Sequence, residues 1–148
     1  MKKVITTLAL SLLSVAGATA DEALSKYGKV YENRQAQLTV ELVPYQEKNK
    51  AGLQDVLIRI SGPDAEADGI DGKIIRYRPV HAGTGVNFQY HDTKDNKWYN
   101  RMGSRAGWWG ADFYEVWLGN KTIKVWLNGN ASSLLNTKHF LTAYNKQK

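Results

Sequence analysis

From Gln37 to Asn128 the chain repeats one device: short runs of alternating apolar and polar residues, each stopped by Gly, Pro, Asn or Asp. Alternation at period two puts one set of side chains on one face of a strand, which restricts this region to half-buried β-structure. QLTVELVPY (37–45) reads as a strand stopped near Pro44, which has no amide hydrogen for a central ladder. In LQDVLIRIS (53–61), Val56, Ile58 and Ile60 share a face and leave Leu57 and Arg59 on the other. Residues 62–72 read as a loop. KIIRYRPV (73–80) sets Ile75 and Tyr77 against Ile74, Arg76 and Arg78, and VNFQYHD (86–92) sets Val86, Phe88 and Tyr90 against Asn87, Gln89 and His91. KWYNRM (97–102) follows the turn sequence TKDN, where loops of two, three or four residues leave the register open.

The most legible hairpin lies at 112–118 and 121–128, around Gly119-Asn120. A two-residue turn there pairs Leu118 with Lys121, Trp117 with Thr122, Val116 with Ile123, Glu115 with Lys124, Tyr114 with Val125 and Phe113 with Trp126. Opposite charges meet and aromatics meet, whereas a one-residue slip sets Glu115 against an aliphatic side chain. At 131–148 the period changes: Leu134, Thr137, Phe140, Leu141 and Tyr144 recur at three and four, giving an amphipathic helix over 133–145 capped by Ser132 or Ser133. Residues 21–34 are polar and read as a short helix near 22–26 followed by loop. The expected fold is mainly β: an antiparallel sheet system of about seven strands, as a sandwich, an open barrel or one curved sheet, with one C-terminal amphipathic helix.

Residues 1–20 read as a signal peptide. Lys2 and Lys3 precede an apolar run from Val4 to Val15 and a small-x-small site at Ala18–Ala20. That run is shorter than the roughly 20 residues of a membrane span, so no span is expected after cleavage. The expectation is a bacterial protein of the periplasm or the medium whose mature residues 21–148 form one β-rich domain. There are no cysteines, so disulfides, thiol catalysis and cysteine metal sites are excluded and burial alone must stabilise the fold. Without Lys2 and Lys3, eighteen basic residues face fourteen acidic ones, a net charge of +4. Exported and mildly basic, the chain is expected to meet anionic envelope polymers before nucleic acid.

Four of the five tryptophans fall within residues 107–129. The hairpin register sends Tyr114, Val116, Ile123, Val125 and Leu127 to one face, and Phe113, Glu115, Trp117, Thr122, Lys124 and Trp126 to the other. The second face mixes three aromatics with an ion pair, so it is either covered or a binding surface. The C-terminal helix or the Gly107–Gly110 loop can cover it, or a homodimer can bury it. As a binding surface, with Trp108 and Trp109 as further anchors, it suits an envelope glycan, whose C–H faces stack on rings while Asn100, Asn128, Asn130 and Glu115 bond its hydroxyls. A protein partner is the other choice. Arg59, Arg76 and Arg78 fall on matching faces of neighbouring strands, where a cluster of guanidiniums can hold phosphate or carboxylate. Their other use is on a solvated outer face.

Asp64, Glu66 and Asp68 with Gly69 match the start of a calcium loop, but Ile75 stands where its bidentate glutamate belongs. Ordinary turn chemistry accounts for them equally, and no metal or cofactor is assigned. HExxH, GxSxG and nucleotide-loop patterns are absent, and His91 and Asp92 point to opposite faces of a strand. The expected function is an exported, non-catalytic binding module that recognises a glycan or a protein. The alternatives are a small hydrolase acting on an envelope polymer, and a structural subunit with its aromatic face in a homodimer.

Overall fold

A computed structural model describes residues 23–105 and 111–148. Residues 1–20 therefore lie outside the described residues, as do Trp108 and Trp109. Eight strands form a closed barrel in chain order: β1 (Lys29–Asn33), β2 (Leu38–Lys48), β3 (Gln54–Ser61), β4 (Ile74–Ala82), β5 (Gly85–Asp92), β6 (Lys97–Ser104), β7 (Phe113–Leu118) and β8 (Lys121–Leu127). All neighbours pair antiparallel, and β8 returns to β1 through Tyr31–Leu127 and Glu32–Trp126. Among the described residues three helices are added: α1 (Pro63–Ala67), α2 (Gly129–Leu134) and α3 (Thr137–Lys146).

The antiparallel, mainly β expectation holds, with an eighth strand and full closure in place of about seven strands in a sandwich or open barrel. The unforeseen strand is β1, in the segment read as loop. Tyr31 faces the interior while Val30 is buried outside, its amide donating to Ser132 Oγ at 2.8 Å. With both faces of so short a strand occupied, no alternation shows. Upstream, Leu24 makes an isolated bridge with Tyr45, not a helical turn. The loop at 62–72 holds α1, whose Ala65 enters the barrel core. The single C-terminal helix is two. Asn128 caps α2 by accepting from the Ala131 amide, and Asn136 caps α3 by accepting from the His139 amide, so the caps are asparagines, not Ser132 or Ser133.

An eight-stranded barrel has an interior about wide enough for side chains to fill. Here Tyr31, Tyr77, Tyr114, Phe88 and Met102 fill it with the aliphatic residues of β2, β3, β7 and β8. Tyr31 and Tyr114 meet edge to face at 4.9 Å, and the Tyr31 hydroxyl donates to Ala111 O at 2.7 Å. Burial pushes the Tyr31 and Tyr77 phenols up to about 12 and raises that of Tyr114 as well.

A second apolar cluster lies outside the barrel wall. Phe140 of α3 packs there on Val43, Tyr45, Leu57 and Ile74, so the helix covers β2, β3 and β4. The Gln147 amide then bonds both Ile74 N and Ile74 O. The C-terminal helix is therefore not the cover considered for the aromatic hairpin face; the Gly107–Gly110 loop, the other cover considered, lies outside the described residues.

At one mouth α1 closes the barrel. Lys121 donates to Asp64 at 2.9 Å and Arg101 donates to Asp68 at 2.7 Å. Two of the three carboxylates considered for calcium, Asp64 and Asp68, thus hold cationic side chains, and no cluster able to hold a metal occurs among the described residues. Arg101 owes its position to a β-bulge: Phe88 pairs with Met102 and Gln89 with Asn100, leaving Arg101 as the extra residue. Its side chain is 7% exposed, lies over the Tyr90 ring, and donates to Trp117 O at 3.0 Å.

Candidate functional site: an aromatic and amide strip on the outer wall

The β7–β8 hairpin takes the register read from its sequence, from Phe113–Trp126 to Leu118–Lys121. Gly119 has φ 59°, whereas positive φ among the described non-glycine residues is confined to Gln37 and Asn96. Only the first turn residue is therefore left-handed, and Asn120 is not. Tyr114, Val116 and Val125 of the expected core face are fully buried, whereas Ile123 is partly buried and Leu127 is 37% exposed. Phe113, Glu115 and Trp117 on the outer face are half-buried, and Trp126 is 51% exposed.

The outer face divides into parts. Phe113 and Trp126 pack with ring centroids 5.0 Å apart, and Lys124 Nζ lies 4.4 Å from the first ring and 5.2 Å from the second. Glu115 accepts from Arg105 Nε at 3.1 Å, so the expected Glu115–Lys124 ion pair gives way to Glu115–Arg105. Trp117 turns the other way, over β6. Two features of β6 make room for its ring: the bulge sends Arg101 inward, and Gly103 has no side chain. A Cβ at Gly103 would lie 2.4 Å from Asn87 Oδ1 and 3.0 Å from the Trp117 ring. The indole therefore lies directly against the backbone, as the wall of a cleft of about 460 Å³ lined also by Asn87, Asn100, Arg105 and Glu115.

A row of hydrogen bonds leads on from this cleft across the sheet. Arg78, Gln89 and Asn100 are successive register partners on β4, β5 and β6. Arg78 Nε donates to Gln89 Oε1 at 3.1 Å, and Gln89 Nε2 donates to Asn100 Oδ1 at 2.8 Å. The Arg78 guanidinium also lies 3.6 Å from the ring centroid of Trp98, which is 42% exposed. His91 flanks the same indole at 5.1 Å and bonds Asn96.

Trp98 and Arg78 line a second cleft, of about 500 Å³. It lies where β4 changes partner: Ile74–Tyr77 pair with β3, and the ladder to β5 begins at Arg78. The outer wall of β4–β8 thus carries Trp98, an Arg–Gln–Asn row, Trp117 and the Phe113–Trp126 pair in one strip. A third cleft lies under α2 and α3, floored by Glu41 and Arg59 and walled by Leu134, Leu135 and Phe140.

Of the arginines singled out in the sequence, Arg78 belongs to the strip, Arg76 borders the Trp98 cleft, and Arg59 lies apart from both. Arg59 makes a two-pronged bond to Glu41 at 2.6 and 3.0 Å, which raises its pKa, and lies over Phe140. Arg76 bonds Asp55 at 3.1 Å and lies over Tyr45. Each guanidinium has its own partners, so the three do not converge on one anion. Of the polar neighbours considered, Asn100 and Glu115 join the Trp117 cleft, whereas Asn128 caps α2.

Sequence reasoning did not select Trp98, Gly103, Arg105, Asn87 or Gln89. The outward row Asn87, Gln89 and His91 was readable from β5, but the place of Trp98 depends on a hairpin register and a bulge that composition does not reveal. No protein-family model, curated protein or solved structure matches this chain.

Proposed function

We propose that this chain is an exported, non-catalytic module that binds a glycan along the outer wall of β4–β8. The observation that carries the reading is the pairing of partly exposed indoles with side-chain amides on a wall that α3 borders at β4, where its Tyr144 lines the edge of the Trp98 cleft, and does not cover beyond it. Sugar rings present an apolar C–H face and a rim of hydroxyls, and a strip that alternates aromatic rings with amides meets both. The Trp117 cleft has one carboxylate, Glu115, held by Arg105, and in the Trp98 cleft Asp55 is held by Arg76 and Asn49. Carboxylates so engaged suit hydrogen bonding better than acid–base chemistry, which favours binding over the hydrolase alternative.

The test is a glycan array probed with the mature protein and with Trp117→Ala. The reading expects discrete glycan signals that the variant loses while its circular dichroism is unchanged. An array without signal, together with capture of an envelope protein through Trp117 and Trp126, would replace the glycan with a protein partner. Export has its own check: the amino terminus of protein recovered from the periplasm or medium is expected to be Asp21. Recovery only from the cytoplasm, with Met1 retained, contradicts it.

A further inference from the structure

Arg78 differs from the neighbouring arginines in what neutralises it. Arg59 and Arg76 rest on carboxylates, whereas Arg78 donates to the neutral amide of Gln89 and lies on the Trp98 ring. An aromatic face attracts a cation without cancelling its charge. With Nε committed to Gln89, the donors that remain belong to the two terminal nitrogens, and the residue lines the cleft beside Trp98. Lys124 repeats the arrangement at the other end of the strip. Its ammonium lies over Phe113 and Trp126, while its cross-strand neighbour Glu115 is taken by Arg105. Two cations on aromatic rings thus bracket a row of neutral amides. They are four of the eight strands apart, half-way round the closed barrel, so a polymer that follows the curved wall meets both.

We infer that the strip selects acidic glycans of the uronic-acid class, with carboxylates meeting Arg78 and Lys124 and sugar rings meeting Trp117. This rests on the glycan reading above and adds charge selection to it. A carboxylate matches the planar fork of a guanidinium, and a charge-assisted bond is about twice as strong as a neutral one. Single-stranded nucleic acid is also anionic and stacks on aromatics, but it calls for a cationic groove that tracks every phosphate. The middle of this strip is Gln89, Asn100 and Asn87, with Glu115 beside them.

The experiment measures affinity for polygalacturonate, alginate and hyaluronate, each against its carboxyl-reduced form, with oligothymidylate as a further probe. At least one uronate is expected to bind about tenfold more tightly than its reduced form, the equivalent of about 1.4 kcal/mol. Arg78→Gln is expected to bring that ratio close to one, with Arg78→Lys between, since it keeps the charge and loses the fork. Lys124→Gln is expected to lower the ratio as well, an independent reading should the Arg78 variants fold poorly. Reduced polymers that bind as tightly as their parents, or a ratio unmoved in Arg78→Gln and Lys124→Gln, overturn the charge selection and leave the glycan reading standing. Oligothymidylate binding more tightly than every uronate, or no polymer binding in either form, overturns both.

Discussion

Gly103 is the smallest residue of the strip and the least replaceable. A methyl group there meets the Asn87 amide oxygen at 2.4 Å and Val86 O at 2.8 Å before it reaches the Trp117 ring. Gly103→Ala is expected to lower stability by about 1–3 kcal/mol, the usual cost of overpacking, and to lift the indole off β6. Denaturant unfolding with tryptophan fluorescence reads both effects. Trp98 and Trp126, roughly half exposed, contrast with it. Alanine at either is expected to cost no more than about 1 kcal/mol of stability, mainly the ring's cation contact, while weakening glycan binding. A loss of several kcal/mol in the same melting experiment would mark these rings as packing.

The interior tyrosines set the alkaline limit. Tyr31 and Tyr77 keep their protons up to about 12 in the folded chain, because burial disfavours the phenolate, whereas an unfolded tyrosine loses its proton near 10. The raised folded values contribute stability that is complete below pH 10 and lost as pH rises towards 12. Phenolate absorbance from the buried tyrosines is expected to rise in one step with loss of ellipticity between pH 10 and 12. Titration of every tyrosine without unfolding contradicts the burial. Much at this scale was legible in the sequence: period-two alternation placed Tyr77 and Phe88 inward and Gln89 and Trp117 outward. Trp98 was not, because the bulge at Arg101 interrupts the alternation that would have fixed its face.

Among the elements, the β7–β8 hairpin is the most weakly moored part of the wall. Among the described residues its internal ladder has six register pairs, whereas two (Met102–Val116 and Gly103–Glu115) join it to β6 and two (Tyr31–Leu127 and Glu32–Trp126) join it to β1, with Asn33 Nδ2 donating to Lys124 O beside the latter. β2 and β3 share seven. Local opening follows weak lateral attachment, so hydrogen exchange is expected to be fastest, among strand amides, at the β6–β7 and β8–β1 seams and slowest in β2–β3. Uniform protection around the barrel would contradict this. α3 supplies a control element. Phe140 is buried on the opposite wall, so Phe140→Ala is expected to cost about 3 kcal/mol, as large aromatic truncations do, and to leave glycan affinity intact below the melting temperature. The hairpin register was legible because each pair is chemically matched. The wall covered by α3 was not, because Leu57 and Ile74, set outward by alternation, become core only when the helix arrives.

For the whole molecule, closure decides where function can lie. Sixteen buried residues form the interior cluster, several of them tyrosines, so the clefts that remain are on the outside. Closure itself was beyond the sequence: a sandwich and a barrel share the same alternation, and the return of β8 to β1 depends on a strand that shows no pattern. One wall is committed to α3 and one mouth to α1, which leaves the outer wall from the Arg78 end of β4 round to β8 as the face with rings and amides together. The most direct measurement is a map of amide and indole NMR shifts on titration with a glycan selected on the array. The account predicts changes at the Trp98, Trp117 and Trp126 indoles and at the side-chain amides of Asn87, Gln89 and Asn100, with α2 and β2 silent. Changes confined to the cleft under α2 and α3, around His139 and Leu134, would contradict it.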